Sequence, residues 1–142
     1  MNLAAYNPNR KPGVRVVVPA SSANLGPGFD VLALTLDLTN TFDVWEAGEE
    51  LRIEVSGEGQ GTLPLDHSNL FAMTMNTFFT MAGYQPPGLL IRLQNSIPLA
   101  RGLGSSASVI VGALLAARYL SGYAIDDDRL LDMAASLEGH GD

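Results

Sequence analysis

Two glycines and two serines stand together in PLARGLGSSAS, residues 98–108, and an apolar run, SVIVGALLAA, follows at once. Gly102, Gly104, Ser105 and Ser106 therefore fall where a strand-like segment gives way to a helix. The first amides of a helix have no intrahelical acceptor, and the aligned peptide dipoles leave that end partly positive. Such an end is an anion site when no side chain blocks the approach. Glycine removes the obstruction and permits the backbone angles that turn several N–H groups inward. The hydroxyls of Ser105 and Ser106 can bond a phosphate oxygen or a magnesium ion. A glycine turn with a serine cap explains the same letters without any ligand, and both readings stand on this segment alone.

Other phosphate-loop patterns fit less well. A Walker A loop requires Gly-Lys-Ser/Thr, and the only lysine is Lys11. Gly102-x-Gly104-x-x-Ala107 matches the letters of a dinucleotide fingerprint, which also needs an acidic residue closing a second strand about twenty residues on. That distance lands in IDDDRLL, which reads as a helix start. Asp126, Asp127 and Asp128 suit that start, since three consecutive side chains fan out and cannot converge on one ion.

Two further stretches carry chemistry-bearing residues. PASSANLGPGFD, residues 19–30, holds Asn24 and Asp30 among glycine and proline punctuation. Asn24 can both donate and accept hydrogen bonds, and Asp30 supplies a carboxylate. An Asx-type turn accounts for the same residues. SLEGHGD, residues 136–142, supplies Glu138, His140 and Asp142. A glutamate on a last helical turn and a histidine just beyond it are ordinary surface residues when taken alone.

The elements that must position these groups follow from periodicity. VRVVV, Val14–Val18, predicts a short strand stopped by Pro19, and residues 19–30 read as loop. VLALTLDL and TFDVWEA predict two strands. LRIEVSG alternates Leu51, Ile53 and Val55 with Arg52, Glu54 and Ser56, the pattern of a half-buried strand. NLFAMTMNTFFTMA, Asn69–Ala82, has helical spacing, with Ser68 or Asp66 as cap and Gly83 as its end. Leu89–Ile97 predicts a strand, the apolar run a helix to about Leu120, and AIDDDRLLDMAASLEG a helix capped by Asp126 and ended near Gly139. Residues 1–13 read as a flexible lead, and 14–142 as one α+β unit with a mixed sheet packed against helices.

Bulk properties set the limits. The 142 residues are enough for one domain with a core. A net charge of −7 argues against a general nucleic-acid binder, so any anionic ligand must be held by local features. The lack of cysteine excludes disulfides, thiolate metal sites and a cysteine nucleophile. No segment reads as a signal peptide or membrane span, so a soluble cytoplasmic protein is expected, with a homodimer left open.

Pro98-x-x-x-Gly102-Leu103-Gly104-Ser105-Ser106-Ala107-Ser108 resembles the ATP-binding loop of the GHMP kinases. The resemblance implies that residues Pro98, Leu99, Ala100, Arg101, Gly102, Leu103, Gly104, Ser105, Ser106, Ala107 and Ser108 wrap the ATP phosphates, with Ser106 also on magnesium. It implies the family's N-terminal fold, which is ribosomal protein S5 domain 2-like. PASSANLGPGFD is similar to the N-terminal signature of the homoserine-phosphorylating branch, which implies that Asn24 and Asp30 face L-homoserine. SLEGHGD resembles the family's Glu-Gly-His-Pro-Asp-Asn segment, with Gly141 in place of proline. By that match Glu138 holds magnesium, while His140 and Asp142 border the substrate pocket. Asn69 matches a family position near adenine, and is equally a helix cap.

The implied activity is transfer of the γ-phosphoryl of ATP to the hydroxyl of L-homoserine, giving O-phospho-L-homoserine for threonine synthesis. The partners implied are ATP, Mg²⁺ and L-homoserine, with no nucleic acid and no membrane. Asp30 and Asp142 are the two carboxylates available as a base. Family members are roughly twice as long, so the chain is expected to be an N-terminal portion with little activity alone. A mevalonate- or sugar-type sibling and a non-catalytic nucleotide-binding module are the alternatives.

Overall fold

In the computed structural model, residues 13–139 are described. Seven elements follow in the order β1 (Val14–Leu25), β2 (Gly28–Glu46), β3 (Leu51–Gly57), α1 (Leu70–Ala82), β4 (Leu89–Asn95), α2 (Ser105–Ser121) and α3 (Asp127–Glu138). The four strands form one sheet in the order β1-β2-β4-β3. β1, β2 and β4 pair antiparallel, and β3 pairs parallel to β4. The sheet is mixed and backed by helices, an α+β architecture.

Alternation along the strands gives the sheet an apolar face. Phe42, Val44, Ile53, Ile91 and Leu93 are buried on it. α1 lays Phe71, Met75, Phe78 and Phe79 into the same core, and α2 adds Ile110, Ala113, Leu114 and Ala117. Phe42 and Phe71 meet at 4.9 Å between ring centroids. The opposite face is polar. There Arg15 grips Asp43 with Nε–Oδ1 2.6 Å and Nη2–Oδ2 2.8 Å, and Arg92 lies 5.3 Å above the Trp45 ring.

The N-terminal third departs from the periodicity reading. β1 does not stop at Pro19, and residues 19–30 are not all loop: the strand runs through Pro19 to Leu25 and turns back at Gly28. Proline is tolerated because β1 is an edge strand. The two strands expected between Val31 and Ala47 are one strand of 19 residues. Their expected break survives as a bulge, since Pro19 pairs with Thr39 while Ala20 pairs with Leu36.

The helices sit close to expectation. The cap of α1 is Asn69, not Ser68 or Asp66. Asp66 instead accepts from Ser68 Oγ (2.6 Å) and Ser68 N (2.8 Å), and these bonds hold its carboxyl below the ordinary aspartate range. Gly83 closes α1 in the left-handed conformation, and Asp126 caps α3 by accepting from Arg129 N at 2.8 Å. None of the described helices is long and apolar enough to cross a membrane.

Candidate active site: the glycine–serine loop and its neighbours

The segment between β4 and α2 is bends and turns until Ser105, where α2 begins. Gly102 and Gly104 adopt φ of 69° and 70°, a left-handed conformation that glycine reaches without strain. Ala100 takes φ of 54°, a costly conformation for a residue with a Cβ. Gly104 is the N-cap of α2 and offers no side chain to the first-turn amides. Those amides are left for an external acceptor. A Cβ on Gly102 would meet nothing within 4 Å, so the loop opens outward there.

A Cβ on Gly104 would lie 2.5 Å from Ser21 Oγ. Ser21 N also donates to Leu103 O at 3.1 Å. The β1–β2 hairpin, which carries Asn24 and Asp30 at its turn, is thereby tied to the glycine–serine loop. Asn24 sits in the left-handed region with φ of 57°, half-buried. Asp30 is the third residue of β2.

α3 brings the other partner. Ser106 Oγ donates to Glu138 Oε2 at 2.9 Å, across 32 residues of sequence. A hydroxyl and a carboxylate oxygen at this spacing suit a hard divalent cation that takes its remaining ligands from water and phosphate. No group of three or more acidic or histidine side chains suited to a metal occurs among the described residues. The donor set described, one hydroxyl and one carboxylate, fits a magnesium ion that takes its other ligands from outside these residues.

Ser108 and Asn69 are placed inside rather than toward a ligand. Ser108 is 2 % exposed, and its hydroxyl donates to Ser105 O at 2.8 Å. Asn69 is equally buried: its Oδ1 accepts from Phe71 N (2.9 Å) and its Nδ2 donates to Pro64 O (2.7 Å). Both the oxygen and the nitrogen of the Asn69 side-chain amide are thus engaged in shaping the start of α1. His140 and Asp142 lie outside the described residues, as does the segment containing Gly141.

Sequence reasoning missed Asn40. It is fully buried in β2, accepts from Ser96 N and Ile97 N, and donates to Ser108 Oγ at 2.9 Å. Its one local signal was a polar residue in the two-residue gap between two strand-like runs. Surface clefts of about 260 and 550 Å³ are lined by other parts of the fold, and neither includes a residue of the loop.

Residues 69–142 match the family model described as the GHMP kinases N terminal domain. Homoserine kinase from Corynebacterium diphtheriae is 48% identical over 129 residues, which cover 91% of this chain and 42% of that protein. Homoserine kinase from Symbiobacterium thermophilum is 47% identical over 135 residues, with the same coverage. Among solved structures, homoserine kinase from Cytophaga hutchinsonii superposes with a TM-score of 0.77 at 29% identity, covering 95% of this chain and 44% of that one. Mevalonate kinase from Methanococcus jannaschii superposes at 0.71 with 18% identity, covering 91% and 47%, a likeness of fold. The chain spans about two-fifths of the length of the curated relatives it matches.

Proposed function

The chain belongs to the GHMP kinase family, and on that premise we propose that it is the nucleotide-loop half of a homoserine kinase. The reaction is transfer of the γ-phosphoryl of ATP to the side-chain hydroxyl of L-homoserine. The phosphorus–oxygen bond to ADP breaks, a new one forms to the alcohol oxygen, and the alcohol proton is released. Such transfers need positioning and charge neutralisation more than covalent help from the protein.

The observation that carries this reading is the 2.9 Å pairing of Ser106 with Glu138 at the uncapped N-terminus of α2. In this reading the backbone of Gly102, Gly104 and Ser105 cradles the phosphate chain. Ser106 and Glu138 would hold magnesium, which would supply neutralisation of phosphate charge. Asn24 and Asp30 orient the amino acid, with the Asp30 carboxylate facing its ammonium group. His140 and Asp142 border the acceptor, and Asp30 and Asp142 are the carboxylates offered as a proton acceptor. In this reading the substrates are soluble metabolites and the work is done in the cytoplasm.

The acceptor is tested by thermal denaturation of the protein in saturating MgADP. L-homoserine is expected to raise the melting temperature further, and Asp30→Asn to remove that increment. Stabilisation by mevalonate in its place would reject the amino-acid assignment.

A further inference from the structure

Asn40 holds both stems of the glycine–serine loop with one side chain. On the entry side its Oδ1 accepts from Ser96 N at 2.9 Å and Ile97 N at 3.0 Å. These are the last amides before Pro98, which has no N–H to give. On the exit side its Nδ2 donates to Ser108 Oγ at 2.9 Å, and that hydroxyl passes the bond on to Ser105 O at 2.8 Å. The partners lie 56 to 68 residues away in sequence, and Asn40 itself is 0 % exposed.

We propose that Asn40 is a positioning residue that fixes the separation and orientation of the two loop stems, and through them the loop's affinity for a polyphosphate. The proposal rests on the nucleotide reading given above. An uncharged amide is suited to this place, because it accepts from two N–H groups and donates to a hydroxyl at once. A carboxylate would lose the donor and add a negative charge beneath an anion site. A buried network of this kind specifies one arrangement when every member is satisfied. Glycine at 102 and 104 gives that stretch no side chains of its own at those positions, so beyond the Ser21 contacts to Leu103 and Gly104 its shape depends on where its ends are held.

The test compares ATP and AMP binding by calorimetry in the wild-type protein, Asn40→Ala and Ser108→Ala. Asn40→Ala is expected to weaken ATP about tenfold, the equivalent of one to two lost hydrogen bonds. AMP, which lacks the β and γ phosphates, is expected to change less than about twofold. Ser108→Ala leaves the Ser96 and Ile97 amides held, and is expected to weaken ATP about threefold. Equal losses for ATP and AMP would mark a merely structural residue and overturn the proposal, as would unchanged ATP affinity in both variants. If Asn40→Ala does not fold, Ser108→Ala decides by the same comparison. If the wild-type protein binds neither nucleotide, the nucleotide reading falls. Amide exchange at residues 102–106 then judges the brace alone: faster exchange in Ser108→Ala sustains it, and equal rates overturn it.

Discussion

At the scale of single residues, the two loop glycines differ in what a side chain would meet. Both need a positive φ, but only Gly104 is crowded, with Ser21 Oγ 2.5 Å from the place of a Cβ. Gly102→Ala is expected to cost about 1–2 kcal/mol, the penalty of the left-handed backbone alone. Gly104→Ala must also displace Ser21 and break the fit between hairpin and loop, so it is expected to cost more. Urea midpoints of the two variants check the order. These glycines were legible because a short-range pattern of small residues before an apolar run has a local physical reason. The Ser106–Glu138 pair was legible only through resemblance, since nothing in spacing joins residues 32 apart. Asn40 was illegible for the same cause carried further: its partners are set by strand register and helix docking.

At the scale of elements, α2 is built to approach the sheet closely. Gly112 faces Phe42, and a Cβ there would come within 2.3 Å of the ring. Alanine at this position gains about 1 kcal/mol of helix propensity. Against that stands overpacking of a fully buried ring, which costs typically about 1–3 kcal/mol. Gly112→Ala is therefore expected to lower stability despite its better helix propensity, as thermal denaturation will measure. Helix positions were readable from their 3.6-residue spacing and caps, with Gly83 and Asp126 closing and opening helices where local chemistry says they should. The β1–β2 hairpin was not, because glycine, proline and serine in residues 19–30 speak for turns. Cross-strand pairing overrides that preference: Ala20, Ser21, Ser22 and Ala23 each face a partner on β2.

At the scale of the whole molecule, the chain has a well-packed body and an exposed hairpin arm. Phe42, Phe71, Phe78 and Met75 are fully buried, whereas Val31 is 81 % and Phe29 69 % exposed. Stability thus resides in the body. Phe42→Ala is expected to cost about 3–5 kcal/mol, and Val31→Lys no more than about 0.5 kcal/mol, a contrast that denaturant titration resolves. The loop, α2 and the C-terminal turn of α3 all sit on that body, joined by the Ser106–Glu138 bond. The loop and the helix start it runs into are one stretch of sequence, and α3 brings the Glu138 carboxylate to it from 32 residues away, which is the arrangement the proposed magnesium-bound polyphosphate would use.

The most direct measurement is the dissociation constant of ATP with and without magnesium, in the wild-type protein and in Glu138→Gln. Magnesium is predicted to tighten binding in the wild-type protein by about tenfold or more, and Glu138→Gln to abolish that gain while leaving magnesium-free binding in place. ATP affinity indifferent to magnesium, or a magnesium gain that persists undiminished in Glu138→Gln, would contradict the account.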